Sequence, residues 1–435
     1  MKFKKVLVLG LSVAAFAGNL FALDAVLPQR VLYIGHRATE FEPLLKQHFA
    51  KVESVSRDKF QPAQASNFDV VLLDWPQGDL ARQERVTMTA PLGKRETWNK
   101  PTVLLGSAGL NLAVAWKLKG GSGCTCLAPV AYGIRDHEIF KSPIAIDVST
   151  TNIPTPVAFG PELKTNTVPV LPLVNNIRRF ETVINDYQRG WSTHYYEFAD
   201  MPEVEIFCGG VNEQTPRSAA FWRQGNLLHF GFEQSPTEMN ETGRAMLVNA
   251  IAYISRFTED RPIDITPSIF GPAKIAVSRN RAKGYFAKYP REVTNVFSTT
   301  TLLAPFNWHD ATNALAWFES ARPWLHPNSE NLLEIDAEAK SLGVPFDAPE
   351  FLPKTIAALH DEKTKAAAAV LLVRYAPDGP GANASADAWE KWWQDNSPYL
   401  LYSELGCYRW YIDPLAKKRG IPTKDLRGPA RADKR

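Results

Sequence analysis

Short continuous apolar runs alternate along the chain with segments whose apolar residues recur at helical spacing, the pattern of strands covered on both faces by helices. Arg30–Ile34 (RVLYI) predicts a first buried strand. Gly35-His36-Arg37 turns from it into Glu40–Phe49, where Phe41, Leu44, Leu45, His48 and Phe49 mark one helical face. Val52–Val55 and Phe68–Trp75 predict the next two strands, and polar Pro76–Lys100 reads as a loop with a short helix. Val103–Leu105 then runs into Gly106-Ser107-Ala108-Gly109, whose small residues permit a sharp reversal into the apolar segment ending at Trp116. Pro101–Trp116 thus has the layout of a nucleophile elbow, in which a strained strand-to-helix turn presents one side chain, here Ser107, beside backbone N–H groups.

Beyond the elbow, Ile144–Val148, Val168–Leu173, Val204–Phe207, Ala219–Trp222 and Leu227–Phe232 predict strands, the last two joined by a hairpin turn at Arg223–Asn226. A helix through Phe257 follows, with Ser235 or Thr237 as its cap and Met246, Leu247, Ala250, Ile251 and Ile254 on its apolar face. This alternation predicts a doubly wound α/β sheet over residues 26–257, with ligands expected beyond the carboxyl ends of its strands. Residues 258–268 read as a linker. In residues 269–413, Asp310–Trp324, Asp336–Leu342, Asp361–Tyr375 and Ser385–Asp395 each pair a polar cap with helix formers, which predicts a mainly helical C-terminal domain.

Composition of 45% hydrophobic and 22% charged residues excludes a disordered chain. Residues 1–22 have the basic start, apolar centre and small-x-small sites of an export signal, so the mature protein is expected to be periplasmic or secreted, with no anchor after cleavage. The formal charge of +3 includes Lys2, Lys4 and Lys5 of that signal and a basic tail over 414–435, leaving a slightly acidic body that argues against nucleic acid as a partner. The four cysteines, Cys124, Cys126, Cys208 and Cys407, suit an exported chain. A bridge from Cys124 or Cys126 to Cys208 and buried thiols are both weighed ahead of a metal site with His137. Neither a metal nor a cofactor is expected.

The elbow Leu105–Asn111, the segment Asp136-His137-Glu138-Ile139-Phe140, and Asn226–Pro236 leading into Val248–Ala252 resemble, in this order, the class I glutamine amidotransferase-like superfamily, and within it the ThuA-like, trehalose-utilisation branch. The resemblance covers about residues 30–257. It implies an α/β fold with a flavodoxin-like, doubly wound, mostly parallel sheet, a ligand site at the elbow, and a carbohydrate or related polar metabolite as ligand. Glutaminases of the superfamily carry an elbow cysteine and a late histidine and glutamate. Ser107, Ser235 and Thr237 stand there instead, so glutaminase activity is not expected.

Three functions remain open at this point: ligand handling at the elbow cleft, a non-catalytic envelope scaffold binding a protein through its C-terminal region, and a serine hydrolase. For the last, Ser107 is the candidate nucleophile and His137 or His229 the base. Each has a plain structural alternative: a helix cap for Ser107, a bond to a loop carbonyl for His137, a packed strand residue for His229. Gly106, Ala108, Gly109, Asp136 and Glu233 are the candidate ligand-binding residues, and Asp74 ends a strand near them. Trp389, Trp392 and Trp393, at helical spacing, read as packing against the first domain ahead of a sugar-stacking platform.

Overall fold

The computed structural model describes residues 26–79, 91–113, 115–116, 118, 123–175, 189–194, 201–264, 278–289, 296–298, 301, 310–330 and 332–427. The expected export signal and the end of the basic tail lie outside these. Among the described residues, no helix is long and apolar enough to cross a membrane.

In chain order the first part consists of β1 (Leu27–Ile34), α1 (Ala38–His48), β2 (Phe49–Val55), β3 (Val70–Asp74), β4 (Thr102–Leu105), α2 (Ala108–Ala113), β5 (Gly123–Cys124), β6 (Val130–Tyr132), β7 (Thr151–Pro154), α3 (Gly160–Leu163) and β8 (Thr167–Pro172). It continues through β9 (Ser192–His194), β10 (Val204–Gly210), β11 (Ser218–Ala219), β12 (Phe221–Gln224), β13 (Leu227–Phe230) and α4 (Glu241–Ile254). Ten strands form one mixed sheet in the order β2-β1-β3-β4-β13-β12-β10-β6-β8-β7. Pairing is parallel from β2 to β13 and antiparallel from β13 to β7.

Alternation along each parallel strand explains why both faces are covered. Val31, Tyr33, Val70, Leu72, Val103, Leu105, Leu228 and Phe230 pack with α1 and α4 on one face. Leu32, Ile34, Val71, Leu73, Leu104 and Leu227 pack with α2 and with Trp75, Trp98 and Trp116 on the other. All five residues of β3 are buried, which is why its sequence is an unbroken apolar run closed by Asp74.

Three expected local features differ. Ile144–Val148 is irregular because Asn249 of α4 takes the place of a strand neighbour: its Oδ1 accepts the Ile144 N–H at 2.9 Å, and its Nδ2 donates to the Ile139 and Ile144 carbonyls. The last helix of this part is capped by Asn240, whose side chain accepts the Gly243 N–H, while Ser235 and Thr237 belong to the turn before it. Residues 258–264 are a strap rather than a loose linker: Arg223 pairs with Asp260, Arg95 with the Pro262 carbonyl and Asp264, and the Ile263 N–H bonds Glu203.

The later residues contain helices Arg279–Lys288, Ala311–Ala321, Ala337–Leu342, Phe351–Ala357, Lys365–Tyr375, Ala386–Asn396, Pro414–Arg419 and Thr423–Arg427, with two small antiparallel pairs, Leu325–Pro327 with Leu333–Ile335 and Leu400–Ser403 with Arg409–Ile412. Asp310, Asp336 and Ser385 cap their helices as expected, whereas Asp361 does not: its helix starts at Lys365 behind Thr364, and the Asp361 carboxylate accepts the Lys363 N–H in the turn before it. Trp389 is buried, and Trp392 and Trp393 lie on the same hydrophobic cluster, which draws on residues 282–410 alone. These tryptophans therefore pack within the C-terminal part and not against the first.

Cys126 is disulfide-bonded, whereas Cys208, the bridging partner expected from the sequence, is a thiol buried in the main core. Burial pushes the Cys208 thiol up, well above its ordinary range. Alkylation after unfolding without reductant should label Cys208 and leave Cys126 unlabelled until reductant is added. Peptide mass mapping checks this, and an unlabelled Cys208 would contradict it.

Candidate functional site

Because β2, β1, β3, β4 and β13 run parallel, their carboxyl ends share one edge. From β1 the chain goes first to β2 on one side, then to β3, β4 and β13 on the other, so a crevice opens at that edge between the ends of β1 and β3. Tyr33 and Arg37 flank the turn after β1, Asp74 ends β3, the elbow leaves β4, and Glu233 follows β13.

These residues are wired together. The Tyr33 hydroxyl donates to Asp74 Oδ2 at 2.6 Å and accepts the Arg37 N–H at 3.0 Å. Arg37 clamps Asp74 in a fork, Nε to Oδ2 at 2.9 Å and Nη2 to Oδ1 at 2.6 Å, and its Nη1 donates to the Glu233 carbonyl at 2.9 Å. Burial, reinforced by the Asp74 charge, holds the Tyr33 phenol well above its usual range, so it stays a donor. Glu233 Oε2 accepts the Gln77 N–H at 2.7 Å. Only 3% of Glu233 is exposed, and this burial raises its pKa against the opposing pull of that N–H and of Arg37.

The elbow forms as the small residues require. Gly106 sits at φ +59°, and a Cβ there would lie 2.9 Å from Glu233 Cγ, so the turn and the carboxylate are in direct apposition. Gly109, on the first turn of α2, lets His229 pass beneath: a Cβ there would lie 2.2 Å from its Nδ1. Ala108 is buried against the sheet and faces no ligand space. Ser107 is fully buried, and its Oγ has no hydrogen-bond partner.

The structure separates the residues of the expected catalytic pair. His137 caps a short turn, its Nδ1 accepting the Ile139 N–H at 3.1 Å, and its Nε2 lies 3.6 Å from Glu205. Glu205 is near the start of β10 and pairs in register with Arg223, which faces Leu228 and, through it, Val103. That is the amino-terminal half of the parallel strands, away from the elbow. Asp136 is 85% exposed and paired with Lys141, so it does not belong to the elbow either. His137 has a local structural role, but not the bond to a loop carbonyl that the sequence suggested: its Nδ1 is the acceptor of a loop N–H.

His229 does lie under the elbow, but as a packed residue. Its ring stacks on Trp222 at 3.8 Å and 3°, with Trp191 at 6.0 Å. Neither ring nitrogen has a hydrogen-bond partner, so no Ser107–His229 bond exists, and complete burial depresses its pKa to about 3. A base that weak does not draw a proton from serine near neutral pH.

Further along the edge, Arg189 pairs with Glu238, whose Oε2 accepts the Ser235 N–H at 2.9 Å, and Thr237 approaches Glu40 at 3.4 Å. Arg37, Tyr33, Arg189 and Glu238 escape a reading of the sequence because their partners are remote in the chain. The one available signal for Arg37 is its place in the Gly-His-Arg turn that follows the first strand. An open groove of about 600 Å³ lies at the opposite edge, between Gln29, Asp69, Lys100 and Arg261, and shares no residue with this constellation. Among the described residues, no three His, Cys, Asp or Glu side chains converge as a metal site. Compared with protein-family models and with curated proteins, the chain matches none.

Proposed function

We propose that the protein is an exported, ThuA-like member of the class I glutamine amidotransferase-like superfamily that handles a carbohydrate or related polar metabolite at the elbow, without glutaminase or serine-hydrolase chemistry. The observation that carries this reading is Glu233, a buried carboxyl group set against Gly106 and wired to Gln77, Arg37 and Asp74 at the crevice between β1 and β3. The parallel strand order β2-β1-β3-β4-β13 supports a flavodoxin-like core, because it places that crevice where such sheets bind ligands. The separate hydrophobic cluster of the later residues supports a C-terminal domain, and Leu405, packed with Trp191 and Trp222, supports its docking on the first.

A second reading, a non-catalytic scaffold with a protein partner at the C-terminal region, draws on the complete burial of Ser107, which leaves the elbow hydroxyl out of reach. Thermal unfolding with a panel of sugars, polyols and other polar metabolites separates the two. Ligand handling predicts a saturable rise in stability, about 2.7 kcal/mol at a hundred times Kd, that Glu233→Gln reduces while its unliganded stability is kept. No saturable rise with any member of the panel would contradict ligand handling and leave the scaffold.

A further inference from the structure

We infer that the tip of the C-terminal hairpin, residues 404–408, is an autoinhibitory plug: seated, it holds the elbow helix down on His229, and its withdrawal opens the elbow to solvent. This concerns access to the elbow and goes beyond the question of what binds there. Leu405 lies between the strands Leu400–Ser403 and Arg409–Ile412, yet its hydrophobic cluster belongs to the first part of the chain. It is 3% exposed and packed with Trp191, Met201 and Trp222, with Leu110 of α2 against the same cluster. From there two routes reach the site. The Trp222 ring stacks on His229 at 3.8 Å, and a Cβ on Gly109 of α2 would lie 2.2 Å from His229 Nδ1, so cluster, histidine and elbow helix form one continuous stack. The Trp191 N–H donates to the Gly231 carbonyl at 2.8 Å, two residues before Glu233. Helix α2 has six residues, too few to hold its place by its own hydrogen bonds, so what packs against it sets its position. With the tip seated, Ser107 is 0% exposed and His229 1%.

The tip itself is strained and preformed. Cys407 and Tyr408 stand at φ +61° and +60°, two consecutive non-glycine residues in the left-handed region, a conformation that persists where surrounding contacts impose it. The C-terminal part supplies those contacts. Arg279 holds Glu404 through Nε to Oε1 at 2.6 Å and through its backbone N–H to Oε2 at 3.1 Å. Ser403 Oγ accepts the Gly406 N–H at 2.8 Å, and the Tyr411 hydroxyl donates to the Gly406 carbonyl at 2.7 Å. A Cβ on Gly406 would lie 2.8 Å from Ile263 Cδ1, so the tip sits directly on the strap. Its grip on the first part is apolar, through Leu405, and withdrawal exposes that seat without breaking the hydrogen bonds that shape the tip. Seating and opening are then linked equilibria: whatever draws the tip away opens the elbow, and whatever binds the opened elbow favours withdrawal.

Hydrogen exchange of the full chain, read by mass spectrometry for the parent, Leu405→Ala and Leu371→Ala, tests this. Leu371 is buried in the C-terminal cluster, so its truncation loosens that part and keeps Leu405. Leu405→Ala is expected to speed exchange of the α2 amides about tenfold or more while β3 stays protected, and to let diethyl pyrocarbonate modify His229, which resists it in the parent. Leu371→Ala should leave both readouts at the parent level. If Leu405→Ala loses its fold by circular dichroism, Leu405→Val makes the same comparison with a smaller cavity. Unchanged α2 exchange, equal acceleration of α2 and β3, or the same response to Leu371→Ala would overturn the plug. Ligand handling stands in each of those cases, because the metabolite panel tests it separately.

Discussion

Replacing Arg223 by methionine is expected to cost about 3–5 kcal/mol of stability, the penalty for stranding the partners of a buried charge. Arg223 is fully buried in β12. It donates to Glu205 at 2.7 Å, to Asp260 at 3.0 Å and to the Gly225 carbonyl at 2.7 Å, and its guanidinium lies 3.9 Å from the Phe257 ring centre. Glu205 also accepts from the Tyr253 hydroxyl at 2.9 Å and faces His137, so one arginine secures β10, β12, the end of α4 and the strap at once. Methionine fills much of the volume but leaves Glu205 and Asp260 without their main counter-charge. Urea unfolding measures the loss. Adding Glu205→Gln should recover part of it, because the two sites are coupled. A loss below about 1 kcal/mol would show that the network is not structural.

The second large effect is a loss of stability in acid that runs through His229. Its ordinary pKa of 6.5 in the unfolded chain falls to about 3 in the fold, with burial as the cause. Between those values the unfolded chain binds a proton that the folded chain refuses, so stability rises with pH there and falls on acidification. The slope approaches about 1.4 kcal/mol per pH unit, which amounts to about 3 kcal/mol between pH 7 and pH 4. Glu205, held below the usual carboxylate range by Arg223 and His137 despite its burial, loses its contribution in the same direction at lower pH. His229→Leu removes the histidine share alone. Unfolding free energies at several pH values should therefore give a shallower acid limb for that variant than for the parent. Identical limbs would mean that His229 reaches solvent or a partner in the fold.

The parts of the fold that were legible in the sequence are those in which burial is uniform or periodic. Val70–Asp74 is buried throughout and reads as a strand, and the β12–β13 hairpin follows from the Gly225-Asn226 turn. Asp310, Asp336 and Ser385 announced three of the C-terminal helices because a cap acts within three residues of its partner. Features set by remote residues were not legible. Ile144–Val148 has strand composition, but Asn249, more than a hundred positions later, takes its hydrogen bonds.

The site divides in the same way. The elbow is local, so Gly106, Ser107 and Gly109 could be named from the sequence. His137 stood beside acidic residues and looked available, yet the antiparallel pairing of β10 with β12 put it at the other end of the sheet. The Arg37 contacts with Asp74 and Glu233 join positions 37 and 196 residues apart, a distance over which no periodicity carries information.

Ser107 is a buried turn residue, and Glu233 with its network is the group we propose to act at this edge. Fluorophosphonate labelling of the folded protein, read by intact mass and peptide mapping beside an active serine hydrolase, addresses this most directly. No adduct on Ser107 is expected under conditions that label the control completely. A stoichiometric adduct on Ser107, abolished by Ser107→Ala and dependent on His229, would contradict it and establish an activated nucleophile.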